Sequence, residues 1–235
     1  MTSQEHISKQ YDIDLDTLRS RVLEMGGLVE SQILAAIEGF STGNRDLIER
    51  VSTSDYRVNA YEVSIDNDCS HIIVRRQPAA GDLRMIMAIS KTVTDLERIG
   101  DEAEKIARMS KQIHERGVLH VQRFADVRHA GTTAVRMLRQ ALDAFARQDA
   151  AQAAQVVLED IAIDDEFRSI IRQLITFMME DPRTISTALE IVWIAKAIER
   201  IGDHAKNIAE YVIYFVKGTD VRHTTLEAVE REAKS

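Results

Sequence analysis

The chain is poor in residues that interrupt helices or cross-link a fold. Its 235 residues include only two prolines, one cysteine and 5% aromatic residues. The single cysteine, Cys69, cannot form an internal disulfide, which fits a reducing compartment, and we expect a small buried apolar residue there. Few prolines and no strand-like alternation of apolar and polar residues indicate an all-α protein.

Long hydrophobic runs and a basic surface are also missing. Residues 1–6 do not lead from a basic region into an apolar core, so we predict no secretory signal. The most apolar late segment, residues 191–195, ends at Lys196, well short of the roughly 20 residues that span a bilayer. A formal charge of −8 argues against nucleic-acid binding. We therefore expect a cytoplasmic protein with no nucleic-acid partner.

One pentapeptide occurs twice. Residues 97–101 and 199–203 both read Glu-Arg-Ile-Gly-Asp, 102 positions apart, and eight of the eleven residues up to positions 107 and 209 are identical. The length also suits two domains of roughly 100 to 150 residues. The sequence therefore predicts an internal duplication.

Apolar residues recur at three- and four-residue spacing and predict six long helices, three in each repeat. The predicted helices cover approximately residues 15–40, 45–76, 82–117, 121–147, 150–179 and 183–216. Long helices with short connections pack most simply as antiparallel bundles. We predict two tandem three-helix bundles, residues 1–117 and 118–220, followed by a mobile tail at residues 221–235.

Each copy of the pentapeptide places two carboxylates one helical turn apart: Glu97 with Asp101, and Glu199 with Asp203. Such a pair repels itself, and a cation relieves the repulsion. The alternative is a solvated face on which basic neighbours neutralise the acids, with Lys105 near Asp101, Lys196 near Glu199 and Arg200 near Asp203.

A second pair with the same spacing lies on the middle helix of each repeat: Asp55 with Asn59, and Asp160 with Asp164. If these pairs face the pentapeptide acids across a bundle seam, they form an oxygen-rich site. Such a site accepts divalent or trivalent ions, with Fe, Zn, Mn and Mg as candidates.

Glycines inside the predicted helices need a reason, because each costs about 1 kcal/mol relative to alanine in an exposed helix. Gly26 and Gly27 indicate a close helix approach or a kink, with backbone access to a ligand as the alternative. Gly100 and Gly202, beside the carboxylates, indicate that something passes close to the backbone.

These features resemble the PhoU proteins, accessory regulators of bacterial phosphate uptake. The resemblance rests on the two Glu-Arg-Ile-Gly-Asp motifs, residues 76–84, the Met-Gly-Gly step at residues 25–27, and residues 179–181. It extends from about residue 6 to residue 223. It implies two three-helix bundles, a homodimer, and multinuclear metal clusters held by Glu/Asp-x-x-x-Asp motifs.

The resemblance also implies a ligand set and partners. The implied metal ligands are Glu97, Asp101, Glu199, Asp203, Asp55, Asp160 and Asp164. Asn59 departs from the acidic form of the motif and makes the first site less charged. The implied function is negative regulation of phosphate-starvation signalling, by restraining a PhoR-type sensor histidine kinase and the Pst transporter through its PstB-type ATPase.

Two other classes of protein remain open. A carboxylate-bridged di-metal oxidase also uses a helical bundle, but it usually supplies Glu-x-x-His motifs, which this sequence lacks. His204 is a conceivable extra ligand, although it points about 100° away from Asp203 around the helix. Phosphate loops and nucleophile elbows are also missing, so we expect no enzyme. A helical scaffold without metal is the second alternative.

Overall fold

The computed structural model describes residues 9–116 and 124–234, and it contains no strand within those ranges. Its helices are α1 (Lys9–Thr42), α2 (Arg45–Ser52), α3 (Asp55–Arg76), α4 (Ala80–Glu115), α5 (Phe124–Arg147), α6 (Ala150–Glu180), α7 (Ile185–Lys217) and α8 (Leu226–Lys234). A 3-10 turn, Pro182–Thr184, connects α6 to α7. The all-α prediction is confirmed. The predicted domain boundary at residues 117 and 118 lies outside the described residues.

The helix predicted at residues 45–76 is two helices, so the prediction of one long element there is wrong. The amide of Thr53 donates to the carbonyl of Glu49, and the amide of Ser54 donates to the carbonyl of Val51, which ends α2. Ser54 then precedes α3 as its N-cap residue. The spacing of apolar residues did not show this break, because Val51 before it and Val58 after it are both buried in the same core.

The third helices of the two repeats, α4 and α7, pack against each other along their length at the centre of the molecule. They run antiparallel, since Asp95 of α4 contacts His204, whereas Arg116, the residue that follows α4, contacts Glu190, earlier in α7. Around them, α1 and α3 pack on α4, α5 and α6 pack on α7, and α1 contacts α5. The two repeats therefore share one continuous apolar core.

Gly26 allows α1 and α5 to approach closely. A Cβ atom on Gly26 would lie 2.6 Å from Cδ1 of Leu142, too close for any real contact. On α5, a Cβ atom on Gly131 would lie 2.3 Å from Cδ1 of Ile37. The predicted close helix approach is confirmed at Gly26, whereas a Cβ atom on Gly27 would meet nothing within 4 Å.

The segment expected to be a mobile tail contains a packed helix instead. Val229 and Ala233 of α8 are buried, and α8 contacts both α6 and α7. Val221, which precedes it, is buried as well. The stripe formed by Val229 and Ala233 is only one turn long, so it gave no clear helical period in the sequence.

Candidate functional site

The glycine of each Glu-Arg-Ile-Gly-Asp motif lies where two helices of its repeat meet: Gly100 where α4 meets α3, and Gly202 where α7 meets α6. A Cβ atom on Gly202 would lie 2.9 Å from Cγ2 of Ile163 on α6, and one on Gly100 would lie 3.4 Å from Cγ1 of Val58 on α3. Val58 and Ile163 are 105 positions apart and occupy equivalent places. The groups that pass close to these glycines are thus the side chains of neighbouring helices.

In the second repeat, acids from two helices share a cluster with lysines. We define the second-repeat cluster as Asp160 on α6 with Lys196, Glu199, Asp203 and Lys206 on α7. Nζ of Lys206 donates to Oδ2 of Asp160 at 2.6 Å. Nζ of Lys196 lies 2.6 and 2.5 Å from the two carboxylate oxygens of Glu199. The predicted pairing of Lys196 with Glu199 is confirmed.

Negative charge exceeds positive charge in this cluster, since three carboxylates face two ammonium groups. Burial raises the pKa of Asp203, and the charges of Glu199 and Asp160 raise it further, whereas Lys196 and Lys206 lower it. Asp160 is only 8% exposed, and its buried Oδ1 has no hydrogen-bond partner among the described residues. A further cation or hydrogen-bond donor would therefore be stabilised there.

Lys206 is strongly held by the acids around it. Burial by itself lowers the pKa of Lys206, but its hydrogen bond to Asp160 and the charges of Asp160, Glu210 and Asp203 outweigh burial and raise the pKa overall. The ammonium form of Lys206 is thus the form that the cluster stabilises.

Asp164 is placed differently from the other predicted ligands of the second repeat. Its Oδ2 lies 3.9 Å from Nη2 of Arg168 on the same helix. Arg168 also contacts Asp165 at 3.0 Å. Asp164 therefore belongs to a partly exposed ion-pair network along α6.

The first repeat carries its acids on α4, where Glu97 is partly buried and Asp101 is exposed. The side chain of Asp55, their predicted partner, lies outside what the structure describes. Gln32 of α1 enters the same region: its Nε2 donates to Oγ of Ser54 at 3.0 Å. Its buried Oε1 has no hydrogen-bond partner within the described ranges and would lie 3.5 Å from a Cβ atom on Gly100.

Sequence reasoning missed Gln32 and Glu102. Gln32 is a polar residue within the apolar side of α1, and the equivalent residue 105 positions later is the buried Met137. This contrast between the repeats was a usable signal in the sequence.

Glu102 is buried and accepts from Lys105 at 3.2 Å, while Nη1 of Arg200 lies 3.1 Å from a carboxylate oxygen of Glu102. The two cations expected near Asp101 and Asp203 thus both contact Glu102.

The predicted metal sites can be tested against this geometry. Carboxylate and amide oxygens are suitable donors for hard ions, and the unpartnered Oδ1 of Asp160 suits a cation. However, within residues 9–116 and 124–234 no three His, Cys, Asp or Glu side chains converge in a way that could hold a metal ion. In the second repeat, Lys196 and Lys206 lie on the carboxylates, so a metal ion would have to displace them.

His204 lies in the interface between the repeats and not in a carboxylate cluster. Its Nδ1 lies 2.7 Å from Oδ1 of Asp95, and Nδ2 of Asn207 donates to the same oxygen at 3.2 Å. Burial raises the pKa of Tyr211, and the charge and hydrogen bonding of Asp95 raise it further. Asp95 is therefore the common acceptor of a buried polar network between α4 and α7.

These observations define a class: a duplicated helical-bundle protein with paired carboxylates on α4 in the first repeat and on α7 in the second. The family model of the PhoU domain matches residues 22–110 and again residues 127–212, one segment from each repeat. The chain therefore belongs to the PhoU family.

Related proteins match the sequence of nearly the whole chain. It is 48% identical over 230 residues to a phosphate-specific transport system accessory protein PhoU homolog from Pseudomonas aeruginosa, covering 98% of this chain and 95% of that protein. It is 44% identical over 219 residues to the phosphate-specific transport system accessory protein PhoU from Escherichia coli, covering 93% of this chain and 90% of that protein.

Solved structures show the same fold. The crystal structure of PhoU from Pseudomonas aeruginosa superposes with a TM-score of 0.86 at 48% identity, covering 89% of this chain and all of that one. The phosphate transport system regulatory protein PhoU from Streptococcus pneumoniae superposes with a TM-score of 0.83 at 25% identity, covering 90% and 99% of the two chains. No helix in the described part of the chain is long and apolar enough to cross a membrane.

Proposed function

We propose that the chain is a non-enzymatic cytoplasmic regulator that restrains phosphate uptake and phosphate-starvation signalling. The observation that supports this most strongly is its 44% to 48% identity, over nearly its full length, to proteins named as accessory proteins of the phosphate-specific transport system. The continuous core shared by both repeats also suits an adaptor, because a rigid body can present fixed surfaces to other proteins.

The proposed partners are a PhoR-type sensor histidine kinase and a PstB-type transporter ATPase, contacted at the membrane from the cytoplasmic side. An affinity pulldown with each purified partner tests this. Retention of both partners above a helical-bundle protein of similar charge supports the proposal, and retention of neither contradicts it. Repeating the pulldown after treatment with a chelator shows whether bound metal affects docking.

We also propose that the carboxylate pairs bind divalent or trivalent metal ions. The candidate ligands are Glu97, Asp101 and Asp55 in the first repeat and Glu199, Asp203, Asp160 and Asp164 in the second. The excess negative charge of the second-repeat cluster and the unpartnered Oδ1 of Asp160 support this proposal. Bound ions would supply positive charge that fixes the spacing of neighbouring helices.

Elemental analysis of the purified protein beside a variant with Glu97, Asp101, Glu199 and Asp203 changed to alanine tests metal binding. We expect metal in the original protein and a clear loss in the variant. Equal, near-zero metal in both proteins would contradict metal binding and leave a scaffold without metal as the better description.

We further propose a homodimer. Ile185, Leu189 and Trp193 are large apolar residues, spaced one turn apart on α7, and all are 41% to 53% exposed. Such a stripe is typical of a surface that another protein covers. Sedimentation analysis should show a dimer that a Leu189→Asp substitution weakens, and a monomer at all accessible concentrations would contradict this.

A further inference from the structure

In the first repeat, an arginine of the chain itself lies between α1 and α3. Nη1 of Arg21, on α1, contacts Oδ2 of Asp68 on α3, and Nη2 of Arg21 donates to Oγ of Ser64 at 2.8 Å. Beside this pair, the hydroxyl of Tyr61 on α3 donates to Oε2 of Glu24 on α1 at 3.3 Å. The first repeat thus fills this position with its own guanidinium group.

The equivalent position in the second repeat, between α5 and α6, has no arginine. Counting forward 105 positions from residues 21, 64 and 68 gives Asp126, Ser169 and Gln173. The same count from residues 24 and 61 gives His129 and Glu166. The serine is retained, whereas an acid replaces the arginine and a second acid replaces the tyrosine.

A groove of about 220 Å³ lies open at this place. It is lined by the five residues equivalent to those of the first repeat, together with Ile170. Ile170 is only 4% exposed and supplies an apolar surface. The groove is smaller than the roughly 300 to 1,000 Å³ of pockets for drug-sized ligands, so it suits a group of the size of a side chain.

Glu166 indicates which charge such a group should carry. Its Oε1 accepts from Oγ1 of Thr133 at 3.3 Å and lies 3.5 Å from Nε2 of His129. Its Oε2 is buried and has no hydrogen-bond partner among the described residues. A buried carboxylate oxygen is costly to leave without a donor, so a cationic donor entering the groove would be stabilised.

We propose that the groove between α5 and α6 binds a guanidinium group from outside the chain, in the place that Arg21 fills in the first repeat. The carboxylates of Asp126 and Glu166 supply negative charge, and the hydroxyl of Ser169 accepts an N–H as Ser64 does in the first repeat. A guanidinium group suits acceptors spread over two helices, because it presents five N–H donors in a fixed plane. The site shares no residue with the second-repeat cluster and depends on neither metal binding nor the regulatory role.

The test is a nuclear magnetic resonance titration of the full chain with N-acetylarginine amide, whose guanidinium group is its only charge. N-acetylcitrulline amide is the matched control ligand, because it has nearly the same shape but no charge. We expect the arginine compound to shift the amide signals of residues 166–173. The citrulline compound should bind about tenfold or more weakly, because hydrogen bonds between charged groups are the stronger ones.

Two variants test the lining of the groove. D126N/E166Q removes both charges with little change of shape and should weaken binding of the arginine compound about tenfold or more. D126R/Q173D rebuilds the arginine–aspartate pair of the first repeat and should abolish binding by filling the groove from within. Asp165→Asn is the matched control, since Asp165 lies on α6 but pairs with Arg168 and does not line the groove. Thermal unfolding confirms that each variant is folded.

Two further ligands distinguish the possible sources of the guanidinium group. Tighter binding of agmatine than of N-acetylarginine amide supports a small arginine-derived ligand. Tighter binding of a capped Gly-Arg-Gly peptide supports an arginine side chain of another protein. Equal binding of the arginine and citrulline compounds, unchanged binding in D126N/E166Q, or no binding of any guanidinium compound would overturn the proposal. None of these results would affect the regulatory role, which is tested separately in cells.

Discussion

Nδ1 of His204 lies 2.7 Å from Oδ1 of Asp95, and this buried contact joins the central helices of the two repeats. The positions are not related by the duplication: Asp95 is equivalent to Ala197, and His204 is equivalent to Glu102. Divergence of the repeats has thus produced a complementary pair. Both residues are at most 6% exposed, so the contact lies in the region that must form for the repeats to pack.

Asp95→Ala should strongly destabilise the protein. Removing the carboxylate leaves His204 and Asn207 without their shared acceptor, and leaving a buried polar group unsatisfied costs about 1 to 3 kcal/mol for each group. Urea unfolding measures the loss. The control is Asp165→Ala, which breaks the exposed pair with Arg168 and should cost less than about 1 kcal/mol. Equal losses in the two variants would contradict a structural role for Asp95.

Gly202→Ala should destabilise the second repeat, whereas Gly27→Ala should not destabilise the first. The new methyl group at position 202 would lie 2.9 Å from Cγ2 of Ile163, and overpacking of this kind costs about 1 to 3 kcal/mol. At position 27 the methyl group meets open space, and helix propensity favours alanine by about 1 kcal/mol. Thermal unfolding of both variants should show changes of opposite sign, and the same sign in both would refute this packing account.

The thiol of Cys69 should be unreactive in the folded protein. Burial, together with the negative charges of nearby Asp66 and Asp68, raises the pKa of Cys69 from 9.0 to about 12. A thiol-specific reagent at pH 8 should label the protein in urea but not the native protein. Rapid native labelling would contradict the burial of this residue.

The same shift gives a signed dependence of stability on pH. The thiol ionises more easily in the unfolded chain, so high pH favours unfolding. The contribution of Cys69 to the free energy of unfolding is fully present below pH 9.0 and declines as pH rises toward 12. Comparison with Cys69→Ala isolates this contribution. The difference in free energy of unfolding between the two proteins should shrink as pH rises above 9.0, and a constant difference would contradict it.

Val229→Ser should detach α8 from the second repeat. Val229 is 1% exposed, and removing its apolar contacts while burying a hydroxyl costs about 1 to 3 kcal/mol. Hydrogen exchange should show faster amide exchange in residues 226–234. The matched control is Arg231→Ser on the exposed side of the same helix, which should leave exchange unchanged. Rapid exchange of these amides in the original protein would instead support a mobile tail.

Much of this fold follows from the sequence because helical periodicity is a local property. Spacing of apolar residues located both ends of α4, α6 and α7 to within two residues, whereas α1 begins six residues before its predicted start. The duplication indicated which helices are equivalent. The turn at Thr53 and Ser54 was missed because apolar side chains on both sides of it face one core. Helix α8 was missed because its buried stripe is a single turn long.

The side-chain partners were harder to predict because they depend on how helices from distant parts of the chain meet. Lys196 and Glu199 are one turn apart, so their pairing could be predicted from the sequence. Lys206 with Asp160 and His204 with Asp95 join different helices, and no spacing rule gives such contacts. In the second repeat, Asp203 of the repeated motif lies close enough to Glu199 and Asp160 for their charges to raise its pKa. Metal binding by these acids stays a prediction, and the contact of Lys206 with Asp160 became clear only from the structure.

The most direct measurement of the central claim is expression of phosphate-starvation genes in cells of the source organism that lack this protein, grown with abundant phosphate. A reporter for one such gene should be strongly expressed in these cells and silent again when the intact chain is supplied. An equally silent reporter with and without the protein would contradict the proposed role in restraining phosphate uptake and starvation signalling.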